Sequence, residues 1–315
     1  MAKYRSNLPQ LSGELFLTDG GIETTLIFHE GFELPYFAAF DLLQHEKGCT
    51  ALKKYFARYA SIARKYDIGF IMESATWRAS ADWGAKLGYS APALSEANRK
   101  AIAMLHELRD TFENDQTKIV ISGCIGPRGD GYDPGAMMTP EQAEDYHRQQ
   151  AEAFYDAGAD MVTAITMTYA EEAIGLARAA RATDMPVAIS FTVETDGRLP
   201  TGQPLQEAIE HVDQATQQAP VYYMINCAHP SHFEAVLDAD ASWLDRIQGL
   251  RANASTKSHA ELDEAEELDD GNPQELGAQY LALRDKLKNL NVLGGCCGTD
   301  QRHIEAICDA YMAVA

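Results

Sequence analysis

Short apolar runs alternate along the chain with longer stretches in which apolar residues recur every three or four positions. A short apolar run bounded by polar residues or glycine predicts a buried strand, and the longer spacing predicts a helix. Leu52, Phe56, Tyr59 and Ala63 illustrate the helical spacing. The predicted strands are residues 15–18, 68–72, 118–122, 161–166, 186–193, 221–226, 244–250 and 291–293.

Helical patterns follow the strands and carry recognisable end signals. Thr139 is a good N-cap with Pro140 at the first helical position, and Gly158 predicts the end of that helix. The seventh strand has the weakest pattern, because Asp245 and Arg246 interrupt it. Residues 32–40, 130–138 and the acidic run 261–270 are predicted as loops, the first with a short helix as its alternative. The predicted helices are residues 50–66, 96–111, 140–157, 170–182, 205–215 and 230–237, and two more begin at residues 273 and 303.

Eight strand-then-helix units predict an α/β protein with a parallel sheet, and that number favours a closed (β/α)8 TIM barrel over an open sheet. No break in composition divides the chain, so residues 1–315 are predicted to form one barrel domain. No Gly-x-Gly-x-x-Gly motif follows the first strand, which leaves a dinucleotide site with little support.

Charge and composition narrow the choice of partners. The net charge is −21 and the pI about 4.7, which argues against nucleic acid or an anionic membrane as a partner. The sequence contains neither an apolar stretch long enough to span a membrane nor an N-terminal signal peptide, so a cytoplasmic, reducing location is expected. The sequence does not predict the oligomeric state.

Three of the six cysteines follow predicted strands in a way that suggests chemistry. Cys296 and Cys297 lie among glycines after the eighth strand, and Cys227 follows the sixth. The carboxyl ends of barrel strands share one cavity, where three thiolates would hold Zn²⁺ and leave its fourth position open. A redox disulfide between Cys296 and Cys297, or buried unreactive thiols, are the alternatives. The remaining cysteines are predicted to act as small buried hydrophobic residues: Cys49, Cys124 and Cys308.

These motifs together resemble the zinc-dependent homocysteine S-methyltransferase family, over nearly the whole chain. The resemblance implies a (β/α)8 barrel and three zinc ligands that are also the catalytic residues. Its motifs are Asp19-Gly20-Gly21, Gly126-Pro127, residues 156–160, Ser190-Phe191-Thr192, Asn226-Cys227 and residues 294–299. The implied zinc ligands are Cys227, Cys296 and Cys297.

The implied reaction moves a methyl group from a small sulfonium or betaine donor to a thiol acceptor, homocysteine giving methionine. A metal-bound thiol is deprotonated, so its sulfur is a nucleophile at neutral pH. A sulfonium donor leaves as a neutral thioether, and no general acid is needed. The absence of an obvious Ser/His/Asp set is therefore expected. The partners are then two small molecules.

Substrate contacts are expected at the ends of several strands. Asp19 and Glu23 are candidates for the acceptor's ammonium group, and Asn253 lies where the family carries an asparagine near the metal. His229 is expected to be a supporting or surface residue. The full predicted substrate-binding set is Asp19, Gly20, Glu23, Thr76, Ser190 and Asn253.

Two positions depart from the family pattern. Ile165 stands where the family usually has a glutamate that binds the ammonium group, and Ala252 stands where proline is common. Loss of that carboxylate removes a charge-assisted contact worth about 1.5–3 kcal/mol. A different thiol acceptor, a non-catalytic zinc- or thiol-binding barrel, and a barrel enzyme of another class with structural cysteines are the alternative hypotheses.

Overall fold

The computed structural model describes residues 1–238, 241–264 and 267–313. Its eight parallel strands form one closed barrel in the order of the sequence, and the first strand pairs with both the second and the eighth. This confirms the predicted (β/α)8 architecture. The strands are β1 Phe16–Leu17, β2 Gly69–Glu73, β3 Ile119–Ile125, β4 Met161–Met167, β5 Val187–Thr192, β6 Pro220–Asn226, β7 Ile247–Ala252 and β8 Val292–Gly295.

Helices cover the outside of the barrel. The predicted cap of Thr139 is present as a capping box with Gln142, and Gly158 ends that helix with a φ of 82°. No helix in the described ranges is both long and apolar enough to cross a membrane. The helices are α1 Ile22–Thr24, α2 Glu46–Lys65, α3 Ala81–Lys86, α4 Ala91–Phe112, α5 Pro140–Ala157, α6 Ala170–Ala182, α7 Leu205–Thr216, α8 Pro230–Phe233, α9 His259–Asp263, α10 Pro273–Leu283 and α11 Gln301–Met312.

Two hydrophobic clusters divide the core. The larger one lies between the barrel and its helices and includes the apolar face of α2, where Leu52, Phe56 and Tyr59 are buried. The smaller one contains residues from the amino-terminal halves of the strands, such as Phe16 and Met161. Buried polar side chains such as Asp19, Glu73, Asn226 and Arg251 lie at or just beyond the carboxyl ends of strands, the end where barrel enzymes place their chemistry.

The seventh strand and the helix after the sixth strand differ from their predictions. The seventh strand begins at Ile247, because residues Ser242–Arg246 form a 3-10 helix and Arg246 bonds Asp213 on α7. The predicted helix 230–237 is one α-helical turn followed by the 3-10 helix Glu234–Val236.

The acidic run predicted as a loop begins inside the short helix α9. A capping box between Ser258 and Glu261 starts this helix. Asp269 accepts a hydrogen bond from Ser255, and Asp270 forms an ion pair with Arg302. Residues 265 and 266 of the run lie outside the described residues.

Candidate metal centre and active site

The three predicted metal ligands meet at the carboxyl end of the barrel. Cys227 follows β6, while Cys296 and Cys297 follow β8, and β7 lies between those strands. The three sulfur atoms lie within 4.8 Å of one another, and the Sγ atoms of Cys227 and Cys297 are 4.0 Å apart. Cys227 is buried, whereas Cys297 is exposed. The structure joins Cys227 to Cys296 in a disulfide, a pairing different from the adjacent Cys296–Cys297 bond that the sequence left open.

The three sulfur atoms are a donor set suited to a thiolate-binding metal ion, of which zinc is one example. Three thiolates around tetrahedral zinc, with Zn–S bonds of about 2.3 Å, lie about 3.8 Å apart, close to the Cys227–Cys297 separation. Within the part of the chain that the structure describes, Asn253 Oδ1 is buried and has no hydrogen-bond partner. A buried amide oxygen of this kind can still accept a hydrogen bond or bind a cation. Metal binding requires the Cys227–Cys296 pair in its reduced form, since thiolates are the ligands.

Small residues allow the turn that carries Cys296 and Cys297. A Cβ atom at Gly294 would collide with the Thr18 hydroxyl, and one at Gly295 would collide with Thr299. The Thr299 hydroxyl donates a hydrogen bond of 2.7 Å to the Cys296 carbonyl and closes the turn. The glycines predicted to permit close approach therefore bring β8 against β1.

Two residues at the sulfur cluster have unusual backbone conformations. Cys227 has a φ of 53° and Thr166, at the end of β4, a φ of 66°. A β-branched residue rarely adopts positive φ, and such outliers cluster at functional sites. The register between β4 and β5 shifts between Ala164 and Met167, which re-aims Ile165 and Thr166.

Asn226 holds these strained segments together. Its Oδ1 accepts hydrogen bonds from the Thr166 amide at 3.0 Å and the Ser190 hydroxyl at 2.6 Å. Its Nδ2 donates to Thr166 Oγ1 at 2.8 Å and lies 3.9 Å from Cys296 Sγ. Asn226 is thus a supporting residue of the cysteine cluster. The sequence placed it only within a motif and assigned it no role.

A buried ion cluster lies below the cysteines, and its arginine was also missed. Arg251 bonds Asp19 at 2.7 Å, contacts Glu73, and donates to the Gly295 carbonyl at 3.1 Å. Burial alone would lower the pKa of Arg251, but Asp19 and Glu73 raise it well above its usual range. Burial and the charge of Asp19 raise the pKa of Glu73 despite the arginine. Arg251 therefore stays charged and balances carboxylates near the sulfurs.

The structure sorts the acidic residues predicted to bind substrate. Asp19 is 3% exposed and is held by Arg251 and by the Tyr55 hydroxyl at 2.9 Å. Glu23 is only partly buried, and burial, with the nearby Asp19, raises its pKa to about 7. Gly20 packs tightly, since a Cβ there would lie 2.8 Å from the Tyr59 hydroxyl. Of the two carboxylates, Glu23 is the more accessible.

Two predicted pocket hydroxyls have protein partners instead. Thr76 and Ser190 are fully buried. The Thr76 hydroxyl donates a hydrogen bond of 2.7 Å to the Cys124 carbonyl, and the Ser190 hydroxyl donates one of 2.6 Å to Asn226 Oδ1. Thr76 and Ser190 were predicted to bind substrate, and this prediction is corrected. Their hydroxyls bond protein groups at the ends of β3 and β6 instead. Asn253 directly follows β7, as predicted. Its backbone N–H donates a hydrogen bond of 3.1 Å to the Ala228 carbonyl.

The other cysteines and His229 have structural environments. Cys124 and Cys308 are buried, and burial raises the thiol pKa of both. Cys49 is partly buried and donates to the Leu43 carbonyl at 3.4 Å. His229 accepts from the Ser231 amide as the N-cap of α8, and burial and His232 lower its pKa to about 4. The supporting role expected for His229 is consistent with this position.

The chain is similar to known methyltransferases. The homocysteine S-methyltransferase family model matches residues 16–311. The homocysteine S-methyltransferase YbgG of Bacillus subtilis is 25% identical over 70% of this chain and 74% of its own length. The selenocysteine Se-methyltransferase of Brassica oleracea is 24% identical over 75% of this chain and 73% of its own.

Solved structures show the same fold. The metallated form of the homocysteine methyltransferase MmuM from Escherichia coli matches with a TM-score of 0.73 at 19% identity, over 95% of this chain and 97% of its own. The oxidised form matches with the same TM-score over 93% of this chain and 94% of its own. Because the family model spans nearly the whole chain, the chain belongs to the homocysteine S-methyltransferase family and is a methyltransferase.

Proposed function

We propose that the protein is a zinc-dependent S-methyltransferase that moves a methyl group from a small sulfonium or betaine donor to homocysteine, giving methionine. The observation that carries the proposal is the meeting of three sulfur atoms within 4.8 Å at the strand ends. The names of the bacterial relatives support homocysteine as the acceptor. A reducing, cytoplasmic location is part of the proposal, because the ligands must be thiolates.

One set of residues would hold the metal ion, and another would hold the acceptor. Cys227, Cys296 and Cys297 would hold zinc, and Asn253, which directly follows β7, has a buried Oδ1 without a hydrogen-bond partner among the described residues. With zinc bound, the acceptor sulfur stays a thiolate at neutral pH. Glu23, the accessible carboxylate, would bind the acceptor's ammonium group.

The chemical step needs no proton donor from the protein. The acceptor loses its thiol proton to solvent, and its sulfur forms a bond to the methyl carbon. The bond between that carbon and the donor sulfonium breaks, and its electron pair stays on the departing thioether. Positioning of the two substrates is the remaining contribution of the chain.

A second acceptor class is favoured by Ile165. This residue is 7% exposed yet packs into neither hydrophobic cluster, and its carbonyl accepts a hydrogen bond from Trp77. An isoleucine there cannot bind an ammonium group, so a thiol without an amino group is the alternative acceptor. The plant relative's name adds a selenol to the acceptors worth testing.

The deciding experiment is methyl transfer by reduced, zinc-loaded protein from S-methylmethionine to homocysteine that carries an isotope label in its carbon chain, followed by mass spectrometry. The label is placed in the acceptor because the departing thioether of this donor is itself methionine. We expect labelled methionine from homocysteine, and its loss in Cys297→Ser but not in the matched control Cys308→Ser. Methylation of 4-mercaptobutyrate, which is homocysteine without its amino group, together with no methylation of the labelled homocysteine would replace the acceptor assignment. Full activity of Cys297→Ser, or of metal-free protein, would contradict the zinc proposal.

A further inference from the structure

Tyr132 reaches the sulfur cluster from a loop that the proposed chemistry does not use. The loop connects β3 to α5, and the Tyr132 hydroxyl lies 3.4 Å from Cys297 Sγ. This distance is within the range of an O–H···S hydrogen bond. A phenol is therefore placed against one proposed metal ligand by a segment far from it in sequence.

The loop that carries Tyr132 is anchored on both sides of it. Asp130 Oδ1 accepts a hydrogen bond of 2.8 Å from the Tyr132 amide. Arg78 donates 2.8 Å to the Gly129 carbonyl and lies 3.9 Å from the ring centroids of both Trp77 and Trp83. At the far end, the Tyr169 hydroxyl accepts a bond of 3.0 Å from the Met138 amide.

The ring of Tyr132 is also fixed. It stacks on His259, with ring centroids 3.9 Å apart and an interplanar angle of 21°. His259 in turn hydrogen-bonds the Cys227 carbonyl at 2.6 Å and Glu194 at 3.3 Å. The stacked pair thus bridges two of the three cysteines, touching the sulfur of Cys297 and the backbone of Cys227.

We propose that Tyr132 is a positioning residue that donates a hydrogen bond to the Cys297 thiolate and tunes the metal centre, an inference that rests on the proposed metal-binding function. A metal-bound thiolate carries no proton, so the phenol has to be the donor. A hydrogen bond to a ligating sulfur withdraws electron density from it. Cys297 then gives less charge to the metal, which becomes a stronger Lewis acid toward the acceptor thiol.

Cobalt(II) replaces zinc in thiolate sites and makes the sulfur electrons visible in absorption spectra. The reduced protein is loaded with cobalt alone and compared with Tyr132→Phe, which keeps the ring and its stacking on His259. We expect the sulfur-to-cobalt charge-transfer band to move to longer wavelength in Tyr132→Phe, because the sulfur electrons are no longer stabilised. The zinc enzyme should lose about tenfold in kcat, the lower end for loss of a supporting residue.

Tyr169→Phe is the matched control. It removes a phenol hydroxyl that holds the same loop but lies at Met138 rather than at a sulfur. We expect its cobalt band to match the unmodified protein, so that a loop disturbance alone is separated from loss of the sulfur contact.

The outcomes distinguish the two proposals. A cobalt band at the same wavelength in Tyr132→Phe and the unmodified protein would overturn the role of Tyr132 and leave the metal centre standing. An equal shift in Tyr169→Phe would also overturn it, since loop position would then explain the change. Failure of the reduced, unmodified protein to bind cobalt would instead reject the proposed metal-binding function.

Discussion

Two buried arginine–carboxylate clusters lie at opposite ends of the barrel and differ in how completely they are balanced. At the amino end of the strands, Arg109 bonds Asp160 at 2.7 Å. At the carboxyl end, Arg251 bonds both Asp19 and Glu73. All these side chains are nearly inaccessible to solvent. The same residue types therefore occur in both clusters, and the surroundings decide their purpose.

The amino-end cluster is closed. Asp160 accepts hydrogen bonds from the backbone amides of Lys3, Tyr4 and Ile121 as well as from Arg109, at 2.6–2.9 Å. One positive charge meets one negative charge, and the carboxylate has four donors. These bonds hold the N-terminal segment against the amino end of the barrel, and the charges of Arg109 and Asp160 neutralise each other.

The carboxyl-end cluster is buried as well, but its charges are not balanced, and it is called the open end below for that reason. One arginine faces two carboxylates, with Glu23 and the three cysteines nearby, and the pKa values of Glu73 and Glu23 are raised. If the cysteines are thiolates, this end of the barrel holds an excess of negative charge. We infer from this difference that the carboxyl-end cluster favours an added cation, which the proposed zinc ion would supply.

The largest expected effect is loss of a sulfur ligand at the open end. Cys227→Ser should reduce zinc content to background and activity by about 1,000-fold or more, since a hydroxyl is a poor substitute for a thiolate ligand. Metal analysis of the reduced protein and the methyl-transfer assay measure both. Asp160→Asn is the comparison at the closed end: it should lower stability while zinc content stays unchanged. Equal zinc content in Cys227→Ser and Asp160→Asn would break the distinction.

Removal of each arginine should separate the two clusters by stability. Arg251→Met leaves two buried carboxylates unpaired and should cost about 3–5 kcal/mol in the free energy of unfolding. Arg109→Met should cost about 1–3 kcal/mol, because three backbone amides still satisfy Asp160. Urea unfolding of reduced, metal-free protein gives both values. A larger loss in Arg109→Met would reverse the comparison.

Ile165→Glu adds a carboxylate to the open end and tests the acceptor. If homocysteine is the substrate, its KM should fall about tenfold, the effect of one charge-assisted contact. The KM for 4-mercaptobutyrate, which has no ammonium group, should rise or stay constant. Ile165→Gln has a similar shape without the charge and is the control. A lower KM for 4-mercaptobutyrate would exclude a contact with the ammonium group.

The smallest expected effect is the pH dependence from Glu23. Its pKa is raised from 4.5 to about 7 in the folded protein, so the folded state holds this proton more tightly. Its contribution to stability is largest below pH 4.5 and is lost as the pH rises through about 7. Glu23→Gln should remove on the order of 1–2 kcal/mol of this decline. Identical pH profiles of urea unfolding for the two proteins would contradict the raised pKa.

The sequence was sufficient to predict the barrel and the meeting of three cysteines at one end of it. Most of the buried strands are local apolar runs, and the helix from Pro140 to Ala157 has its own end signals at Thr139 and Gly158, so local pattern carries most of the architecture. Cys227 and Cys296 were placed together because parallel strands in a closed barrel share one carboxyl end. Where local pattern was weak, at Asp245 and Arg246, the strand was placed too early.

Tertiary structure alone decided which polar residues face the sulfurs. Tyr132 lies 165 positions from Cys297, and no spacing rule connects a loop tyrosine to a cysteine on another strand. Ser190, expected to bind substrate, instead donates a hydrogen bond to Asn226, which also accepts one from the Thr166 amide beside a register shift in β4. Periodicity predicts which residues are buried, whereas the direction of each side chain depends on bulges and positive-φ residues that only the folded chain contains.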